Sequence, residues 1–83
     1  MNTEHSVNTG NVMLMSVSDC KHAKNKQGNI GFVTKYQYKI NEGDTIIANS
    51  KEGTAVYKIL KIESVKPATI KGFEYYKALA KRN

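Results

Sequence analysis

Thr54-Ala55-Val56-Tyr57-Lys58-Ile59-Leu60-Lys61-Ile62-Glu63-Ser64-Val65 is a long β-branched stretch in which Tyr57 and Ile59 share one face while Leu60 and Ile62 take the other. Side chains alternate along a strand, so an apolar face that changes sides midway marks a bend or a bulge. Barrel strands carry such irregularities where they pass around a corner. Pro67 lacks the N–H that a ladder needs and ends the strand.

Working outward, Ser50-Lys51-Glu52-Gly53 reads as a tight turn, Thr45–Asn49 as a short strand, and Asn41-Glu42-Gly43-Asp44 as another turn. Ahead of them Lys35-Tyr36-Gln37-Tyr38-Lys39-Ile40 alternates cleanly, which predicts a strand with Tyr36, Tyr38 and Ile40 on one face. Residues 20–31 are rich in Lys, Asn, Gln and Gly and read as a long loop, preceded by a strand over Val12–Val17 that ends at Ser18-Asp19. Residues 1–10 are polar and aperiodic and read as a loose arm, leaving 11–83 as a single small domain. The tail admits two readings. Phe73–Ala80 alternates as a closing strand, and Phe73, Tyr76 and Ala80 equally share a face of a short C-terminal helix; the strand is favoured. The expected fold is therefore mainly β, a small antiparallel barrel of about five strands.

The run Glu42-Gly43-Asp44-Thr45-Ile46-Ile47-Ala48, then Glu52-Gly53 and Val56–Ile62, resembles the core hairpin of small SH3-like β-barrels. It looks like the RNA-contacting modules of ribosomal and transcription-elongation proteins. With Tyr36-Gln37-Tyr38 placed ahead of it, it also resembles the amino-terminal DNA-binding domain of the primosomal helicase, and small phage proteins. The resemblance spans residues 35–65 and implies the barrel, with no residue role carried over from those families.

Eighty-three residues bury only about 60–65% of the unfolded chain's surface, so the core is thin. The single cysteine, Cys20, excludes an internal disulfide and fits a reducing, cytoplasmic setting. The first six residues have neither the basic nor the apolar region of a signal peptide, and the longest apolar run, Val12–Met15, is far short of a membrane span.

Net charge is +6, from twelve lysines and one arginine against seven acids. No acid lies between Cys20 and Asn41, where Lys21, Lys24, Lys26, Lys35 and Lys39 fall, and a second basic cluster includes Lys77, Lys81 and Arg82. Such imbalance favours polyanions. With one arginine, bidentate reading of bases is disfavoured, so DNA or RNA would be bound without regard to sequence. Tyr36 and Tyr38 supply either a stacking platform or, in a chain without tryptophan, core; core is the favoured reading. Tyr75 and Tyr76 must face opposite ways in a strand, which makes Tyr75 a candidate binding contact.

Chemistry is expected to be absent. Cys20 and His22, with His5 as a distant third, make too few ligands for zinc, and no cofactor is implied. No carboxylate pair, phosphate loop or oriented nucleophile is evident, so the chain reads as a non-enzymatic binding module. The partner classes expected are nucleic acid or, alternatively, an acidic protein surface, as for a phage-type module that inhibits or redirects a host complex. Homodimerisation through a strand edge is compatible with both.

Overall fold

The computed structural model describes residues 3–20 and 23–83. Six strands form one sheet: β1 (Glu4–Ser6), β2 (Val12–Val17), β3 (Gln27–Lys35), β4 (Thr45–Ser50), β5 (Gly53–Pro67) and β6 (Phe73–Arg82), in the spatial order β1-β4-β5-β6-β3-β2. All neighbours are antiparallel except β1 and β4.

That order requires curling. β1 and β2 follow one another in the chain but occupy opposite edges, which in a flat sheet of six strands would lie about 24 Å apart. The link between them has five residues, 7–11, the first three wound as a 3-10 turn, and reaches only about 16 Å. The sheet bends into a half-barrel, and the 3-10 turn packs against both β4 and β2 across its open side. Ser6 Oγ accepts the Asn8 N–H at 3.2 Å to start that turn, and Gly10, at φ 81°, ends it.

β5 provides the bend. Its register with β6 shifts between Ile59 and Lys61 and again between Ile62 and Ser64. Each shift leaves one extra residue, Leu60 and then Glu63; the first reverses which positions face inward and the second restores the original phase. Ile59, Ile62 and Val65 thus sit opposite Ala80, Ala78 and Tyr76 on the inner face. The slip in the sequence pattern is the imprint of these bulges. At the first, the turn before β4 is bonded onto β5: Gly43 N–H donates to Ile59 O, and Ile59 N–H to Asp44 O, both at 2.8 Å. At the second, Glu42 Oε2 accepts the Ile62 N–H at 2.8 Å.

The inner face holds Val12, Ile30, Phe32, Ile46, Tyr57, Ile59, Tyr76, Ala78 and Ala80, joined by Cys20 and Ile40 from loops. Phe32 and Tyr76 stack with centroids 5.1 Å apart and planes 12° from parallel. Burial pushes the Cys20 thiol and the Tyr57 phenol up, the Arg82 charge partly offsetting this at both. Among the described residues no helix is long and apolar enough to cross a membrane.

The expected mainly β fold is observed, with six strands where about five were expected, and the tail takes its favoured strand reading throughout β6. Other expectations are corrected. The strand expected at 35–40 lies earlier: β3 ends at Lys35, and the last five residues of the supposed loop from residue 20 to 31 belong to it. β3 is covered on both faces, with Ile30 to Thr34 all buried, so it shows no alternation. Its glycines mark close approaches. A Cβ on Gly28 would strike the Ser18 carbonyl, and one on Gly31 would strike the Tyr75 hydroxyl. Tyr36 and Gln37 instead form a turn, with Gln37 at φ 101° and Tyr38 N–H donating to Lys35 O at 2.9 Å, and residues 38–40 follow it as irregular chain.

The supposed loose arm is also structured over residues 4–10; residues 1–2 lie outside the described residues. β1 pairs with β4, and His5 is 4% exposed. Its Nε2 meets Asp44 Oδ2 at 2.8 Å and its Nδ1 meets the Tyr38 hydroxyl at 2.8 Å. A polar side chain buried with both ring nitrogens satisfied anchors a segment that hydrophobic patterning cannot mark.

Candidate nucleic-acid interface

Antiparallel pairing puts directly opposed residues on the same face. On the outer face of β5 and β6 the register therefore builds four rows. Lys58 stands beside Lys81 and Gln27, Lys61 beside Leu79 and Asn29, Ser64 beside Lys77 and Gly31, and Lys66 beside Tyr75 and Val33. Five lysines run along about 20 Å of this surface at the spacing of successive strand rows. No row contains a carboxylate. Glu63 is the bulged residue between the second and third rows, and Glu42 is turned to the backbone of Ile62. Among the described residues no lysine makes an ion pair.

β2 and the 68–72 loop flank this face and create two adjoining clefts. The polar one, about 300 Å³, is lined by Ser16, Ser18, Asn29, Gly31, Tyr75 and Lys77. Gly31 forms its floor, and the Tyr75 and Ser16 hydroxyls converge above the bare Cα. Neither hydroxyl has a hydrogen-bond partner among the described residues. The second, about 320 Å³, is mainly apolar and is lined by Met15, Val33, Pro67, Ala68, Ile70 and again Tyr75. Met15 is 55% and Ile70 40% exposed.

The residues singled out in the sequence divide accordingly. Tyr75, Lys77 and Lys81 stand in the rows. Lys24 and Lys26 are exposed on the loop that joins the same end, where Arg82 N–H donates to Lys26 O at 3.1 Å and Asn25 N–H to Arg82 O at 2.6 Å. Arg82 itself shares the inner-face row of Tyr57. Lys35 stands opposite Phe73, one row beyond Tyr75 on the same face, but about 26 Å from the Gln27 end of β3 at the rise of a strand, and Lys39 lies beyond the strand, so the first basic cluster does not form one patch. Lys21 and His22 lie outside the described residues. Tyr36 is exposed, and Tyr38 is half-buried against His5.

Lys58 and Lys61 escaped notice, although a signal existed. Lys58, Lys61, Ser64 and Lys66 are spaced by three, three and two, the spacing of one face of a strand that skips a residue at two bulges.

Asp44, His5 and Tyr38 form the other polar cluster. Burial would raise the Asp44 carboxyl, but hydrogen bonds from His5, from Asn41 N–H and from Thr3 N–H outweigh it and hold its pKa below the ordinary value. With the Nε2–H directed at this carboxylate, a neutral ring leaves Nδ1 to accept the Tyr38 O–H. The chain of bonds has the connectivity of an acid–base relay, yet its residues line neither outer-face cleft; it ties β1 and the 38–44 segment together. Among the described residues no group of three His, Cys, Asp or Glu could hold a metal ion. No family model, curated protein or solved structure matches the chain.

Proposed function

We propose that this protein is a non-catalytic, sequence-independent nucleic-acid-binding module that lays the outer face of β5 and β6 along a phosphate backbone. The carrying observation is the direct opposition of Lys58 and Lys81, extended by Lys61, Lys77 and Lys66 without one neutralising carboxylate. Like charges directly opposed across strands destabilise a sheet. A polyanion reverses the sign of that interaction and releases its own counterions on binding. A reducing, cytoplasmic setting fits the unpaired, buried Cys20.

Fluorescence anisotropy of a labelled oligonucleotide between low and physiological salt tests this. If the five lysines each neutralise a phosphate, log K falls against log salt with a slope of about −3.5 for a single strand, and equally for unrelated sequences. Undetectable binding at low salt, or a slope near zero, ends the reading. A second reading, protein interaction, has its own support: β2 is an edge strand carrying the exposed Met13 and Met15, which suits strand addition by a partner or a second copy.

A further inference from the structure

We propose that the face is built for single strands: an unpaired base seats in the apolar cleft while the adjoining phosphate seats in the polar one, with Tyr75 as the wall they share. This rests on the nucleic-acid reading of the same face and goes beyond it, because lysine rows alone would take a duplex equally well.

The two clefts differ in kind. The polar one presents hydroxyls of Ser16 and Tyr75, the ammonium of Lys77 and the amide of Asn29, with no carboxylate in its lining. Those groups donate to a phosphate oxygen, and the missing side chain of Gly31 is what lets the Tyr75 and Ser16 hydroxyls come together there. The apolar one presents Met15, Val33, Pro67 and Ile70 with no charge but Lys66 at its rim. An exposed apolar surface beside unsatisfied donors matches a ligand that is itself half apolar and half anionic, as a nucleotide with an unstacked base is. Successive rows of the sheet are about 7 Å apart, so one nucleotide covers both clefts. A duplex hides its base faces in the stack and can use only the phosphate half.

Three ligands of equal length, titrated by anisotropy near physiological salt, separate the possibilities: a single strand, the same strand made abasic, and its duplex. The expected result is roughly tenfold tighter binding of the base-bearing strand than of either other ligand, the effect of a stacked base. Met15→Ser combined with Ile70→Ser, both at exposed positions, should erase that preference and leave duplex binding unchanged. Tyr75→Phe should weaken strand binding several-fold without altering thermal unfolding. Equal, salt-sensitive affinity for all three ligands would overturn the cleft assignment and leave the charged face standing. Absence of binding to any of them would remove both. The abasic comparison needs only the unaltered protein, so a poorly folding variant does not blunt the test.

Discussion

Asp44, 3% exposed, accepts hydrogen bonds from His5, Asn41 and Thr3, and His5 passes its second nitrogen to Tyr38. Lys58 and Lys81, by contrast, face each other on the outer side of the sheet with no carboxylate of the described residues in ion-pair reach. Both are polar clusters in a chain too small to waste stability. In the first, every charge and donor is answered from within the fold, and its role is complete there. In the second, nothing within the fold answers the charge, and the sheet is less stable for holding it. Polar groups that are satisfied internally report on folding; those held together without satisfaction report on a partner.

Removing the buried acceptor is the severest way to break this contrast. Asp44→Ala leaves His5 Nε2 and the Thr3 and Asn41 amides without their partner, and a buried donor left unsatisfied costs about 1–3 kcal/mol. Against a total of roughly 5–15 kcal/mol for a native domain, this variant is expected to be partly unfolded. Urea denaturation reads the loss directly. A change below about 1 kcal/mol would show that the network is incidental, and the contrast with the lysine face would lose one of its terms.

Acid makes a gentler test of the same cluster. The Asp44 carboxyl is held below its ordinary value in the fold, so on acidification the unfolded chain takes up its proton first. The Asp44 contribution is therefore fully present above the unfolded pKa. It begins to fade below about pH 5 and is gone once the pH has passed the folded value. Urea midpoints across that window should fall for the wild type. Asp44→Asn should flatten the part of the fall that this carboxylate causes; an unchanged profile would remove Asp44 from the account.

How far these regions were legible follows from the same physics. β5 announced its bulges because two interruptions of an alternating pattern leave an apolar face that changes sides, and Leu60 and Ile62 recorded that change. β3 was hidden because burial on both faces removes alternation, and because Gly28 and Gly31 stand where a loop's backbone and a neighbouring ring come too close for a side chain. The clean alternation at 35–40 misled, since Tyr38 is turned toward His5, thirty-three positions earlier, and not toward a sheet partner. β1 has three residues, too few for any period. Of the site, Tyr75, Lys77 and Lys81 were visible from charge and from the opposed faces of Tyr75 and Tyr76. Lys58 and Lys61 required the register, which only the folded sheet supplies.

The smallest effect sharpens the comparison most. Lys58→Thr removes one of two opposed ammonium groups and places a good strand former opposite Lys81. Relief of like-charge repulsion in a screened, exposed pair should raise stability by roughly 0.2–0.5 kcal/mol at low salt, and by less as salt rises. The same substitution removes one phosphate contact, so nucleic-acid affinity should fall and the magnitude of the salt slope should drop by about 0.7 for a single strand. Stability and binding thus move in opposite directions, which a residue retained for packing would not produce, since its loss would lower stability alone. Thermal denaturation paired with anisotropy on the same preparation measures both signs. If Lys58→Thr weakens the fold and leaves binding intact, the opposed lysines belong with Asp44 as structural groups, and the outer face loses its claim on a polyanion.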